Sequence, residues 1–270
     1  MGVLNITPDS FSDGGMLLNS NGIDMPSVVA RAEAMLAAGA CVLDVGGEST
    51  RPGAEPVSID VELGRVIPVV EALGVLDTII SVDTRHTTVA AAAIAAGAHV
   101  VNDVSAGDDE GMLSLIADTG VGFAMMHMQG LPSTMQRAPT YAGVVVEVGE
   151  FLQARYQSCK MAGIEAERLM LDPGFGFGKT LQHNLELLRN LETLRVDDAP
   201  LLVGLSRKSM LGAITGRAAT ERVHASVAAA LLCAQHGADL IRVHDVAATA
   251  DALKVLQAVQ DTEIAMASLS

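Results

Sequence analysis

Three side chains able to grip a polar ring, Asp83, Asn102 and Asp172, stand far apart in this sequence, and each closes a short apolar run. A carboxylate withdrawn from water must be hydrogen-bonded, and a heterocycle with an amidine-like edge offers it two parallel N–H donors. Asparagine supplies a donor and an acceptor for the ring's other edge. Asp83 or Asp172 could equally cap the helix that follows it. A second constellation is cationic. Ser206-Arg207-Lys208-Ser209 and Arg242-Val243-His244 bring guanidinium, ammonium and imidazole groups to two successive run ends, as an anion site requires. Taken singly, Lys208 could be a solvated surface charge and His244 a satisfied core histidine.

These residues need elements to position them, and the apolar runs supply candidates. Eight runs end in, or hold near their end, a polar residue: 1–6 with Asn5, 41–45 with Asp44, 78–82 before Asp83, and 100–101 before Asn102. The other four are 122–126 before His127, 169–171 before Asp172, 201–205 before Ser206, and 240–243 with Arg242 before His244. Each is followed by a loop and a longer helical stretch, which predicts an eight-stranded parallel (β/α)8 TIM barrel with its site at the strand ends. Predicted helices cover 26–38, 60–73, 87–96, 110–119, 142–161, 181–194, 220–236 and 247–259. In the first, Val29, Ala32, Met35 and Leu36 share a face. Gly39, Gly74, Gly97, Gly120, Gly163 and Gly237 follow helices and are expected as left-handed caps.

Three loops on the opposite rim have unusual composition. The first, 5–15, is dense in hydroxyls and turn formers yet carries Phe11; the second, 46–53, places glycines around Arg51, and both are expected to act as lids. The sixth, 172–180, ends Gly178-Lys179-Thr180 like a phosphate-binding P-loop. That motif needs glycine where Pro173 stands, and a dinucleotide-binding glycine spacing is not met either. The better reading is that Gly174 and Gly176 allow close backbone approach while Phe175 and Phe177 wall a flat ligand.

Composition narrows the function classes. Half of the 270 residues are apolar and 18% are charged, and no linker divides the chain, so a single domain over 1–260 with a short tail over 261–270 is expected. A net charge of -15 argues against nucleic acid as a partner and means that an anionic substrate would need local cations or a metal ion. Cys41, Cys159 and Cys233 show no metal-ligand or disulfide spacing, as suits inert thiols in a reducing cytoplasm. No secretory segment precedes the first run and no uncharged apolar run reaches the roughly 18 residues of a membrane span, so a soluble cytoplasmic protein is expected.

Five motifs in order make the chain resemble the bacterial dihydropteroate synthases, pterin-binding transferases of folate synthesis, over almost its full length. They are residues 4–15, 44–53 and 172–179, Ser206-Arg207-Lys208-Ser209, and Arg242-Val243-His244-Asp245. The resemblance implies condensation of 6-hydroxymethyl-7,8-dihydropterin diphosphate with p-aminobenzoate, releasing pyrophosphate. It implies a pterin site of Asp83, Asn102, Asp172 and Lys208, and a diphosphate site of Asn5, Arg242 and His244 with Mg2+ bridging Asn5 and the phosphate oxygens. Thr50, Arg51, Pro52, Phe177 and Ser209 would hold p-aminobenzoate under a loop carrying Phe11. Lys208, Arg242, His244 and Asp83 would carry catalysis, sulfonamides would compete, and a homodimer is usual in the family. Roles of Asp44 and His127 stay open between metal-shell support and rim packing.

Two departures stand out. Family members usually carry residues before the first strand, often as a hairpin under the barrel, whereas Met1 here lies close to Asn5, so a barrel without that extension is expected. After Asp83 the chain reads Thr84-Arg85-His86-Thr87, more basic than the family leads one to expect. Other reactions compatible with the fold are a methyltetrahydrofolate methyltransferase, which would lack the diphosphate apparatus, and a non-catalytic pterin-binding paralogue, which would have lost loop residues. A Schiff-base aldolase using Lys208 would need a desolvated pocket that this basic loop does not suggest.

Overall fold

The computed structural model describes residues 1–8, 17–19, 22–51 and 53–261. Among them the chain opens with β1 (Gly2–Asn5), the small antiparallel pair β2 (Leu18–Asn19) and β3 (Gly22–Ile23), and α1 (Met25–Ala37). Strand and helix then alternate through β4 (Val42–Gly46), α2 (Ile59–Leu73), β5 (Ile79–Asp83), α3 (Thr87–Ala95), β6 (Val100–Asp103), α4 (Met112–Thr119), β7 (Gly122–Met126) and α5 (Val144–Met161). The last units are β8 (Leu169–Asp172), α6 (Leu181–Arg189), β9 (Leu202–Val203), α7 (Ser209–Thr215), α8 (Val223–Gln235), β10 (Leu240–Ile241) and α9 (Val246–Gln260).

The strands β1, β4, β5, β6, β7 and β8 form a continuous parallel sheet, and β9 and β10 pair beside it. Single parallel bridges, Leu171 to Leu201 and Gly2 to Val243, join the two arcs into the ring of the predicted barrel. Burial on both faces explains the apolar composition of the strands: all five residues of β4 are buried. The helices pack around the ring, and Tyr156, Phe123, Leu43, Leu73 and Ile80 are among the largest wholly buried side chains.

Register does the positioning. Asn5 pairs with Gly46, Gly46 with Asp83, and Asp83 with Asn102, so three of the predicted polar residues lie in one row across four strands. A side chain at Gly46 would begin 3.4 Å from the Asn5 side-chain oxygen and 3.5 Å from Asp83 Cβ, so glycine there leaves the space between them open.

Helix ends differ from expectation in places. Neither Asp83 nor Asp172 is a cap: His86 precedes α3 without a side-chain cap bond, and Thr180 caps α6 by accepting the His183 N–H. Gly74 keeps φ at -60° because its N–H still bonds to the carbonyls of Val70 and Glu71, while Gly39, Gly97, Gly120, Gly163 and Gly237 have positive φ as expected. The buried stripe of α1 is Val28, Ala32 and Met35, leaving Val29 half-buried. The short helix α7 was not anticipated; it begins immediately after Lys208 and has only seven residues. Among the described residues no helix is long and apolar enough to cross a membrane.

Candidate active site

A cavity of about 430 Å³ opens at the strand ends, where the barrel prediction put the site. It brings together Asn5, Thr50, Arg51, Asp83, Phe177, Lys208, Ser209, Arg242 and His244. Asn102 and Asp172 are buried close by rather than on its surface, and Phe11 and Pro52 lie outside the described residues.

Arg242 organises one wall. Its Nε donates to Asp44 Oδ2 at 2.6 Å and its Nη2 to Asp83 Oδ2 at 2.7 Å. Burial opposes its charge, but the two carboxylates outweigh burial and hold the guanidinium above its ordinary range. Asp44 is wholly buried and also accepts from Asn102 Nδ2 at 3.3 Å, which turns the Asn102 amide oxygen away from Asp44. Asp44 is therefore a support shared by Arg242 and Asn102, which answers part of the question left open about it. Asp83 is pushed up to about 7 by burial, reinforced by Asp44, Glu62 and Asp103 and opposed by Arg242.

Asp172 Oδ1 accepts the Gly174 N–H at 2.7 Å, forming the first turn of the sixth loop, and burial raises its carboxyl against the pull of Lys208. Lys208 donates to the Phe175 carbonyl and lies 4.6 Å from the centre of the Phe177 ring. Burial lowers its ammonium to about 8, countered by Asp172. Lys208 is thus not a freely solvated charge. His244 Nδ1 meets Ser206 Oγ at 3.0 Å, and burial with neighbouring Arg242 drops its pKa to about 3. In the resting site His244 is a neutral hydrogen-bonding group and not a cation. Arg207 is also not a plain anion-binding cation: it makes a two-pronged pair with Asp245, at 2.9 and 2.5 Å.

The sixth loop is braced by contacts that no local pattern in the sequence announces. Phe175 is wholly buried in the core, so only Phe177 serves as a cavity wall; the expectation that both aromatics would line it fails. Left-handed glycines at the alternate positions 174, 176 and 178 turn the chain so that the two rings do not share a face. Lys179, 3% exposed, donates to His127 Nδ1 at 2.9 Å and to the carbonyls of Gly174 and Phe177 at 2.9 and 3.0 Å. The lysine that mimics a phosphate-binding P-loop instead cross-braces the loop. His127, pushed down to about 3 by burial and Lys179, accepts this bond and packs edge-on against Phe151. That answers the rim-packing alternative for His127.

The second loop is held more firmly than its glycines suggested. Gly47 is a packing requirement, since a side chain there would start 2.8 Å from Val66 Cγ2 and 3.2 Å from Glu62. Arg65 donates to the Gly47 carbonyl at 2.8 Å, and Arg85 grips Glu48 with two bonds of 2.9 and 3.1 Å. Sequence reasoning missed Glu48 and Met135 as cavity residues. The acidic residue in a glycine-rich loop was the available signal for Glu48; Met135 had none.

Comparisons with known proteins agree with this geometry. The family model for pterin binding enzymes matches residues 1–244. The dihydropteroate synthase of Neisseria meningitidis serogroup B is 51% identical over 96% of this chain and 91% of its own length. That of Escherichia coli is 48% identical over 96% and 90%. Among solved structures, Yersinia pestis dihydropteroate synthase with a sulfonamide drug superposes with a TM-score of 0.92 at 46% identity, covering 96% of this chain and 93% of that one. The Burkholderia cenocepacia enzyme complexed with 7,8-dihydropteroate has a TM-score of 0.86 at 47% identity, covering 97% and 91%.

Proposed function

Because this chain belongs to the pterin binding enzyme family and has the activity of its dihydropteroate synthases, we propose a specific division of labour within the cavity. The observation that carries it is the joint placement of Asn5, Asp83, Lys208, Arg242 and His244 around one opening, with Asn102 and Asp172 packed beneath. Asp83, Asn102 and Asp172 take the hydrogen-bonding edges of the pterin, and Lys208 covers it from the seventh loop. Arg242 and His244 hold the diphosphate. Thr50, Arg51, Pro52, Phe177 and Ser209 receive p-aminobenzoate, with Phe11 in the covering first loop.

Asn5 suits Mg2+ by donor chemistry: an amide oxygen on the cavity wall is a hard ligand, and Mg2+ takes few protein ligands, completing its shell with water and phosphate oxygens. When bound, the ion would neutralise charge on the departing pyrophosphate. The protein's own groups do the rest. Breaking the carbon–diphosphate bond leaves positive charge on the pterin methylene, which the electron-rich ring delocalises, and negative charge gathers on pyrophosphate. Arg242 stabilises that charge directly, while neutral His244 contributes a hydrogen bond. The arylamine is largely unprotonated at neutral pH, so it attacks the methylene carbon without a strong base and then loses a proton to water. Excluding water until then protects the cation. A homodimer and a cytoplasmic address complete the proposal.

Supplying both substrates with Mg2+ is expected to yield equal amounts of pyrophosphate and dihydropteroate, and sulfonamides are expected to compete with p-aminobenzoate. Folded protein giving neither product would overturn the reading. A second expected result concerns Asp83, whose carboxylate must be ionised to accept the ring's N–H donors. Protonation as pH falls through about 7 opposes binding, so affinity for a pterin lacking phosphate weakens by up to about tenfold per pH unit below that point. Asp83→Asn removes this dependence; calorimetric titrations that stay flat with pH in the parent protein would refute it.

A further inference from the structure

We propose that Arg85 is a positioning residue for p-aminobenzoate, acting through Glu48 on the second loop; this rests on assigning Thr50 and Arg51 to that substrate.

Glu48 follows β4 at the root of this loop, two residues before Thr50, and lines the cavity beside Ser49, Thr50 and Arg51. Its side chain is 7% exposed, so its carboxylate needs partners. Arg85 Nε donates to Oε2 at 2.9 Å and Arg85 Nη2 to Oε1 at 3.1 Å, the planar two-pronged match that only a guanidinium makes. The Val57 N–H also donates to Oε1, at 3.3 Å, so the loop's exit is drawn back onto its entry nine residues earlier. One carboxylate therefore closes the loop upon itself and ties it to the neighbouring β5 loop.

The ground beneath this clasp is acidic. Wholly buried Glu62 accepts from Thr84 Oγ1 at 2.6 Å and meets His86 Nδ1 at 2.6 Å, and ligand-type atoms of Glu48, Glu62 and His86 all lie within 4.8 Å of one another. Without Arg85, Glu48 would face the Glu62 charge and turn toward solvent, releasing the loop root. The basic run Thr84-Arg85-His86, which the pterin and diphosphate assignments leave unused, thereby gains a purpose. Neither Arg85 nor Glu48 is assigned contact with the pterin, so the effect falls on one substrate.

Steady-state kinetics on the full chain, with each substrate varied, test this. Arg85→Met is expected to raise KM for p-aminobenzoate about tenfold, the loss of a charge-assisted pair, with KM for the pterin diphosphate changed less than about twofold. Arg85→Lys restores charge but not the fork and falls between, at about threefold; it also carries the test if Arg85→Met does not fold. Unchanged p-aminobenzoate KM in the folded variants, or equal rises for both substrates, would overturn the proposal. Thr50→Ala separates the causes. If it raises p-aminobenzoate KM while the Arg85 variants do not, the clasp alone is wrong; if none does, the underlying assignment of the loop falls and takes the clasp with it.

Discussion

Arg242→Met is expected to cut dihydropteroate formation by about 10²–10³-fold, the scale for losing a preorganised group that stabilises developing charge. The same change leaves Asp44 and Asp83 facing one another without their shared cation. Removing one partner of a buried charge network costs about 3–5 kcal/mol, which for a chain of this size lowers Tm by roughly 10 °C. Adding Asp44→Asn to Arg242→Met takes away one orphaned charge, so most of the lost stability returns while turnover does not. Thermal unfolding and the product assay on both variants check this. A double variant no more stable than the single one would show that charge balance is not what Arg242 contributes to the fold.

Gly174→Ala is expected to be the most damaging small substitution in the sixth loop. Its φ of 67° disfavours any side chain, and a Cβ would sit 1.8 Å from the His127 carbonyl oxygen. Backbone on both sides must move, at a cost of about 3 kcal/mol or more from strain and overpacking together. The displacement passes to the Gly174 carbonyl, one of the acceptors of Lys179, and from there to Phe177. Low soluble yield, or a folded remnant with depressed Tm and little activity, is the outcome to look for. Native stability would mean that the loop can relax without its brace.

Much of the architecture was readable from short patterns, because a barrel strand buried on both faces must be apolar until its end reaches the rim. That is why Asp83, Asn102 and Asp172 stood out, and why the lengths of the longer helices could be anticipated to within a turn or so, while the short α7 was not. What escaped depends on contacts between distant segments. Asp44 and Arg242 are 198 residues apart, and nothing local in either announces the pair. Phe175 and Phe177 alternate like strand residues, yet the left-handed Gly176 between them breaks the alternation, and Phe175 is buried in the core. Lys179 belongs to a motif that resembles a phosphate-binding loop, a reading that Pro173 already argues against, but only the surrounding carbonyls reveal that it is a brace. The neutrality of His244 likewise follows from burial beside Arg242, a fact of the assembled site.

The two single bridges that complete the ring have a bearing on how the enzyme holds together while it turns over. Arg242 rises just beyond β10, in the short two-strand arc, and binds carboxylates on β4 and β5 in the long arc, so its side chain straddles the seam at β1. Under the proposed assignment, a diphosphate drawing the guanidinium toward itself would loosen this fastening, but by also engaging Asn5 on β1 it would span the same seam from the other side. The ligand would replace the strap it displaces. Amide hydrogens of Val3 and Val243, which knit β1 to the end of β10, would then exchange with solvent no faster in the loaded enzyme than in the empty one.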